Sequence, residues 1–147
     1  MLTEAVENYL TAILRLEESG AAATTSALAV HLAVARPSVT GMLKRLAVDG
    51  LVTHQRYRGA QLTTAGRRVA CAVIRRHRLM ETFLVTVLGM ATDQVHAEAH
   101  RLEHALSDEV VERLDVWLGR PERDPHGQPI PGPWNDQEDC ARPRKEA

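Results

Sequence analysis

A basic hairpin preceded by three helix-like segments constrains the fold more than any other feature of this sequence. Residues 51–53 and 60–63 have the composition of strands, and the six residues between them, HQRYRG, are polar and basic, so the stretch predicts a β-hairpin. In the three segments before it, which begin near Thr3, Thr24 and Pro37, apolar residues recur at helical spacing. This order of elements is typical of a winged helix-turn-helix.

Three further helices are predicted beyond the hairpin. The first is long and begins at Thr64, and Thr92 and Ser107 are the expected caps of the next two. After Gly119 the sequence becomes rich in proline and glycine, which is typical of a flexible tail. The predicted domains are a winged helix-turn-helix over residues 1–71, an all-helical domain over 72–120 and a Pro/Gly-rich polar tail over 121–147.

Composition favours a helical fold with an aliphatic core. Hydrophobic residues make up 44% of the chain, but aromatic residues only 3%, whereas strand-rich cores use many aromatic and β-branched side chains. No apolar run approaches the roughly 20 residues that span a bilayer, so no membrane association is expected. Cys71 and Cys140 form no CxxC pair. They are predicted to be reduced thiols in a cytoplasmic protein.

The net charge of -1 conceals a strongly basic middle segment. Ten lysine and arginine residues lie between Arg36 and Arg78, and Asp49 is the only acidic residue there. Such a segment on a nearly neutral chain predicts a face that binds a polyanion. A solvated helix face is the alternative.

The helix that begins at Pro37 carries the side chains best suited to contact DNA. Its apolar positions leave small and hydroxyl side chains near the N-terminus and basic ones further along. Such groups can approach base edges and phosphates, and arginines on a wing can contact a minor groove or the backbone. With so few contacts in each domain, a homodimer on a two-fold site in double-stranded DNA is expected. The candidate DNA-binding residues are Thr25, Ser26, Arg36, Pro37, Ser38, Thr40, Gly41, Lys44, Arg45, Arg56 and Arg58.

The stretch VHAEAHRLEH contains three of the chain's seven histidines and predicts a metal site. On a helix, its histidines and Glu103 fall within an arc of about 100°, while Glu98 points away. Imidazole and carboxylate ligands suit Mn, Fe, Co, Ni or Zn, and the lack of paired cysteines excludes a thiolate-rich zinc site. The candidate ligands are His96, His100, Glu103 and His104, together with His77 and Glu81, which lie four residues apart on the preceding helix.

Catalytic interpretations fit this stretch less well. HAEAH is not the HExxH motif of zinc peptidases, and no P-C-x-x-C follows as in zinc deaminases. No enzymatic activity and no organic cofactor are expected. Three alternatives stay open: a winged-helix regulator that senses an organic ligand, a small metalloenzyme with a basic substrate face, and a metal-buffering protein.

Nearly the whole chain before the tail resembles the diphtheria toxin repressor family of metal-dependent transcriptional regulators. The motifs that carry the resemblance are ENYLTAILRLEE, ARPSVTGMLKRLAVDGLV, RRHRLMETFL, VHAEAHRLEHALSDEVVERL and HGQPIPGP. The resemblance is to a short form that lacks the SH3-like domain of longer members. It implies a mainly α fold, with an N-terminal winged helix-turn-helix followed by an all-helical dimerisation and metal-binding domain.

The resemblance also implies how the ligands divide. The family's primary site corresponds to Asn8, His100, Glu103 and His104, and its ancillary site to His77, Glu81 and His96. His100 stands where relatives place cysteine or glutamate, and Asn8 where they place methionine or aspartate. The implied cofactor is Mn(II) or Fe(II), and the nitrogen at position 100 also suits Zn(II) or Co(II). The implied function is metal-dependent repression of metal-uptake genes from a palindromic operator.

Overall fold

The computed structural model describes residues 2–134 and residue 140. Its chain divides into two compact units, Met1–Ala70 and Cys71–Ala147, with the boundary inside a long helix. No helix among the described residues has the length and apolarity to cross a membrane. The elements in chain order are α1 (Glu4–Glu18), α2 (Thr25–Leu32), α3 (Arg36–Val48), β1 (Val52–Gln55), β2 (Gly59–Leu62), α4 (Thr64–Thr86), α5 (Val95–Glu103) and α6 (Asp108–Trp117).

Side-chain caps set the starts of the first two helices. The Oγ1 atom of Thr3 accepts a hydrogen bond from the N–H of Val6 at 3.3 Å, and Thr24 accepts one from Ala27 at 3.1 Å. In α3 a proline occupies the first turn, where its missing N–H costs nothing. Helix α1 packs against α2 and β2, α2 against α3, and α3 against β1. Five leucine and isoleucine side chains at the centre of this unit are fully buried: Leu10, Ile13, Leu14, Leu28 and Leu46.

The hairpin has longer strands and a shorter tip than the sequence predicts. Antiparallel pairing extends from Val52 opposite Leu62 to Gln55 opposite Gly59, so that only residues 56–58 form the turn. The base of the hairpin is held against the segment before α2, because the N–H of Ala60 donates to the carbonyl of Ala23 at 2.9 Å. Gly59 has φ +73°, and a Cβ atom there would collide with the same carbonyl. Glycine is therefore required at this position.

The second unit consists of helices around two apolar clusters. Met80, Leu84, Val95 and Ala99 form the first cluster, which joins α4 to α5. The start of α5 differs from the sequence prediction. Its N-cap is Gln94, which makes no side-chain cap hydrogen bond, so Thr92 is not the cap. The predicted cap of α6 is confirmed, since Ser107 accepts a hydrogen bond from the N–H of Val110.

Part of the stretch predicted as a flexible tail packs into the core of this unit. Ile130 is fully buried with Leu79 and Val111. The N–H of Ile130 donates to the carbonyl of Glu122 at 2.8 Å. The buried guanidinium of Arg75 donates to the carbonyl of Pro131 at 3.2 Å. These contacts fix residues 122–131 as a turn on α4. Residues 135–139 and 141–147 of the predicted tail lie outside the described residues.

The prediction of two reduced thiols is wrong for this structure. Cys71 and Cys140 form a disulfide, with their Cα atoms 5.4 Å apart and both side chains buried. Their separation of 69 residues gave no local signal of pairing. Only the fold brings the two residues together.

Candidate metal centre and DNA-binding surface

His77 on α4 is the buried centre of a network of imidazoles and carboxylates, in which Glu81 and Glu103 are also buried while His96 and His100 are exposed. Its Nδ1 atom lies 2.5 Å from Glu103 Oε2, and its Nε2 atom lies 3.0 Å from Glu81 Oε1 and 3.1 Å from His96 Nδ1. The 3.6-residue helical repeat brings His77 and Glu81 to one face of α4, facing α5. One ligand atom each from His77, Glu81 and His96 lie within 4.8 Å of one another. A single cation could therefore contact all three residues.

The other oxygen of Glu103 faces two further histidines. Glu103 Oε1 lies 3.0 Å from His100 Nδ1 and 3.3 Å from His104 Nε2. The glutamate is 4% exposed, so that its charge depends on these partners. The family resemblance implied that the histidines are divided between two separate sites. In the structure, the contact between His77 and Glu103 joins the two sets into one continuous network. Glu98 instead pairs with Arg101 at 2.6 Å, away from the network.

Mutual contacts favour the charged forms of His77, Glu81 and Glu103. Burial alone would lower the pKa of His77, but its hydrogen bonds to Glu103 and Glu81 reverse this effect and raise the pKa from 6.5 to about 9. Burial tends to raise the pKa of Glu81, but the hydrogen bond from His77 lowers it from 4.5 to about 2. The same histidine holds the pKa of Glu103 below its usual value. At neutral pH, His77 therefore carries a proton that a cation must displace from Nε2.

These pKa values predict how the stability of the metal-free protein depends on pH. The pKa of His77 is raised from 6.5 to about 9 on folding, so its contribution is complete below pH 6.5 and is lost as the pH rises to 9. The pKa of Glu81 is lowered from 4.5 to about 2, so its contribution is complete above pH 4.5 and is lost on acidification. In chelator, we expect the melting temperature to be highest between these limits and to fall by several degrees towards pH 9.

Thermal unfolding at a series of pH values checks this expectation. His77→Gln should remove most of the decline above pH 6.5, whereas His31→Gln, at an exposed position on α2, should leave it unchanged. An identical decline in the wild type and in His77→Gln would show that His77 does not hold the raised pKa.

A second group of possible ligands lies next to the first and was missed by the sequence analysis. Glu81, Asp124 and His126 also bring one ligand atom each to within 4.8 Å of one another. The Nε2 atom of His126 donates to the carbonyl of Thr92 at 3.0 Å. Its Nδ1 atom then lies 3.4 Å from Glu81 Oε2. A carbonyl can only accept, so this bond leaves Nδ1 as the ligand atom of the neutral ring.

Asp124 has an oxygen available for a cation. The side chain is buried, and its Oδ1 atom accepts hydrogen bonds from the N–H groups of His126 and Gln128. Its Oδ2 atom has no hydrogen-bond partner among the described residues. A buried carboxylate oxygen with no donor is costly unless a cation or a water molecule satisfies it. The signal in the sequence was the Asp-x-His spacing within a turn-forming stretch, which the prediction of a flexible tail concealed.

Asn8, the remaining predicted ligand, lies on α1 in the first compact unit and is half-buried. His100, Glu103 and His104 belong to the second unit. The assignment of Asn8 to their site stays a prediction.

The candidate DNA-binding residues occupy the exposed surface of the first unit. Val39, Leu43 and Leu46 bury one side of α3. The two hydroxyl groups of α2, at Thr25 and Ser26, are half-exposed in its first turn. The remaining candidates are all exposed: Arg36, Pro37, Ser38, Thr40, Gly41, Lys44, Arg45, Arg56 and Arg58.

Three of the ten basic residues between Arg36 and Arg78 bind other groups of the protein and do not form part of an exposed basic face. Arg67 is bound to Glu17 at 2.5 Å. Arg75 is buried and pairs with Asp115 at 3.2 Å, and Arg78 is buried and donates to the carbonyl of Pro129 at 2.6 Å. These three arginines stabilise the fold, so the prediction that they belong to a polyanion-binding face is wrong. Paired and exposed arginines could not be distinguished from the sequence, because an amphipathic helix carries arginine both in ion pairs and on its exposed side.

A groove of about 260 Å³ lies between α2, α3 and β1, and its lining includes Thr25, Thr40, Lys44 and His54. Three of these four residues were predicted to contact DNA. His54 was placed in the wing tip by the sequence, but it lies on β1 and is exposed. The groove thus brings a histidine next to the predicted contact residues of α2 and α3.

Comparisons with known proteins agree with both units. The sequence-family model of the iron-dependent repressor N-terminal DNA-binding domain matches residues 1–60. The model of the iron-dependent repressor metal-binding and dimerisation domain matches residues 63–132. The iron-dependent repressor IdeR of Mycobacterium leprae is 42% identical over 131 residues, which are 89% of this chain and 57% of that protein. The diphtheria toxin repressor of Corynebacterium diphtheriae is 41% identical, over 89% of this chain and 58% of its own.

Among solved structures, a manganese-dependent transcriptional repressor in complex with manganese superimposes with a TM-score of 0.83 at 42% identity. The match covers 96% of this chain and 62% of that one. The chain therefore spans somewhat more than half the length of the curated relatives that it matches.

A winged helix-turn-helix unit followed by a helical unit with a histidine–carboxylate network defines the class of metal-dependent DNA-binding regulators. Each relative named above is called a repressor. The chain belongs to the iron-dependent repressor family, which includes the diphtheria toxin repressor. The resemblance inferred from the sequence motifs and the predicted fold class are both confirmed.

Proposed function

We propose that this chain is a metal-dependent transcriptional repressor that binds a palindromic operator as a homodimer and controls metal-uptake genes. The observation that carries the proposal is the network around the buried His77, in a chain whose other unit exposes a basic winged helix-turn-helix. Groups with strongly shifted pKa values, such as His77 and Glu81, are concentrated at functional sites. The relatives named above are all called repressors, which supports repression rather than activation.

Mn(II) or Fe(II) is the proposed cofactor, and Zn(II) or Co(II) would also fit the ligands. The available atoms are imidazole nitrogens and carboxylate oxygens, with no thiolate among the candidate ligands. Such sites bind divalent first-row metals, and Zn(II) and Co(II) bind them more tightly than Mn(II). Selection of Mn(II) or Fe(II) therefore depends on metal availability as well as on the ligands.

We assign the ancillary site to His77, Glu81 and His96, with Asp124 and His126 available to complete the coordination. When bound, the metal would supply a fixed positive charge that the buried carboxylates neutralise. Glu103 orients His77 through its Nδ1 atom, as carboxylates commonly do for metal-binding histidines. The primary site, Asn8 with His100, Glu103 and His104, is proposed on the sequence resemblance.

The homodimer is proposed because a matching family model describes dimerisation and because the second unit exposes apolar side chains. On α6, Val110, Val116 and Trp117 are 47%, 53% and 67% exposed. Exposed apolar residues grouped on one element are typical of an interface with another protein. A dimer would present two α3 helices to two half-sites.

Metal dependence requires that the ligands bind the cation more tightly in the arrangement that binds DNA. A coupling of about 1–3 kcal/mol, or roughly 5- to 150-fold in affinity, is typical of such systems. In α3, Ser38 and Thr40 are proposed to approach base edges, and Lys44 and Arg45 to contact phosphates.

A DNA-binding titration tests the proposal. The probes are DNA from the promoter of the chain's own gene and from metal-transporter promoters, first with chelator and then with Mn, Fe, Co or Zn. At least one promoter should bind several-fold to 150-fold more tightly with metal. A double variant with Lys44→Ala and Arg45→Ala should retain metal binding and lose DNA binding. Equal affinity in chelator and in every metal would contradict the proposal and favour a regulator of an organic ligand.

A further inference from the structure

Tyr57, at the tip of the hairpin, is highly exposed and has a strained backbone, so neither feature stabilises the fold. Its side chain is 89% exposed, so it contributes almost nothing to packing. Its φ angle is +70°, in the left-handed region that residues other than glycine, asparagine and aspartate rarely adopt. A large aromatic residue at this position lowers rather than raises the stability of the turn.

The turn geometry shows that glycine would fit better at this position. The N–H of Arg58 donates to the carbonyl of Gln55 at 3.1 Å, which makes Tyr57 the third residue of a four-residue turn. A positive φ at the third position is typical of type II turns, in which glycine is preferred. Strained residues that add nothing to folding are concentrated at functional sites. The tyrosine ring is therefore expected to make its contact outside the chain.

The positive charge around Tyr57 favours a polyanion as its partner. No acidic residue occurs between Gly50 and Met80 in the sequence. Both neighbours of Tyr57 are exposed arginines, and the Arg56 guanidinium carbon lies 5.4 Å from the centre of the ring. The base of the hairpin is fixed to Ala23, so the tip has a defined position relative to α1 and α2. A second copy of the chain would need acidic groups to match this tip.

We infer that Tyr57 inserts its ring into the minor groove of operator DNA, with Arg56 and Arg58 on the flanking phosphates. This inference rests on the proposed function and adds a contact to it. Helix α3 would occupy the major groove, and the hairpin would reach the neighbouring minor groove. Apolar side chains in a minor groove contact sugars and base edges, and arginines beside them contact the backbone.

The inference is tested with Tyr57→Ala, Tyr57→Gly and Tyr57→Phe, and with Val48→Ala as a matched control at another exposed apolar residue. The probe is a 30-base-pair duplex selected from random DNA by the wild-type protein with Mn(II). Tyr57→Ala and Tyr57→Gly should weaken binding about fivefold or more. Tyr57→Phe and the control should stay within about twofold. Because the ring does not stabilise the fold, Tyr57→Gly should melt within about 2 °C of the wild type.

The salt dependence of binding separates the ring from its neighbours. Arg56→Ala should reduce the slope of log affinity against log salt by about one, because a phosphate contact is lost. Tyr57→Ala should leave the slope unchanged, because an uncharged ring releases no counterion.

The possible failures can be distinguished. If the wild type selects no duplex, the proposed function fails and the inference fails with it. If the wild type binds a selected duplex and Tyr57→Ala and Tyr57→Gly bind it equally well, only the inference is overturned. It is also overturned if Tyr57→Ala weakens self-association in sedimentation experiments while the affinity of each dimer for DNA is unchanged, because the ring would then belong to a protein interface.

Discussion

Glu81→Gln should weaken metal binding by more than about a hundredfold and, with it, abolish the metal response of DNA binding. Glu81 is 2% exposed and belongs both to the group of His77, Glu81 and His96 and to the group of Glu81, Asp124 and His126. Its oxygens lie 3.0 Å from His77, 3.3 Å from His96 and 3.4 Å from His126. The amide keeps the shape of the side chain but removes its charge. Loss of an outer-shell partner alone typically costs 10- to 100-fold in metal affinity, so a directly bound carboxylate should cost more.

Competition with a chromophoric chelator measures this effect. Glu109→Gln is the matched control, because Glu109 is exposed on α6 and pairs with Arg113, four residues away on the same helix, at 2.9 Å. We expect the control to bind metal as the wild type does. Wild-type affinity and stoichiometry in Glu81→Gln would show that neither group of residues forms the metal site.

Glu103→Gln should remove the metal dependence of operator binding and leave the dimer intact. Its carboxylate contacts His77 through one oxygen and His100 and His104 through the other. Glutamine has no negative charge and only one acceptor oxygen, so it cannot accept hydrogen bonds from both histidine sets as the two carboxylate oxygens do. Operator affinity with metal should then fall to the value measured in chelator, a decrease of about 5- to 150-fold. Titrations with and without Mn(II) measure this decrease.

Glu98→Gln is the control on the same helix, since Glu98 pairs with Arg101 and is outside the network. Sedimentation measures the dimer in all three proteins. If Glu103→Gln retained the full metal response, the assignment of Glu103 to the metal centre would be wrong. A loss of the dimer would instead indicate that the residue acts in folding.

Much of the fold could be predicted from local patterns. Thr3, Ser107 and the proline in the first turn of α3 define helix starts by local hydrogen-bonding chemistry, and the structure confirms them. The cap of α5 could not be predicted, because the helix begins after Gln94, which makes no side-chain cap hydrogen bond, and Thr92 lies in the turn two residues earlier. The packing of Ile130 was also missed. A single isoleucine among prolines and glycines has no periodicity, and its burial depends on long-range contacts.

The candidate site was predictable where its residues lie on helices and not where they lie on a turn. His77 with Glu81 and His100 with Glu103 are separated by four and three residues, so helical geometry alone brings each pair together. The hydrogen bond between His77 and Glu103 spans 26 residues and depends on how α4 packs against α5. The assignments of Asn8 and of the DNA-contacting residues stay predictions.

The turn that carries Asp124 and His126 would couple metal binding to its own opening and closing. The amide of Gly127 donates to the carbonyl of Asp124 at 3.0 Å, and the turn is held in place by the buried Ile130. Opening of the turn would separate His126 from Glu81, so a cation bound by both residues and closure of the turn must stabilise each other to the same extent. Hydrogen exchange at Gly127 would then slow as metal is added, and the affinity for metal would fall in proportion to the fraction of chains with an open turn. The stability of this surface turn would therefore contribute to the metal concentration at which the proposed site fills.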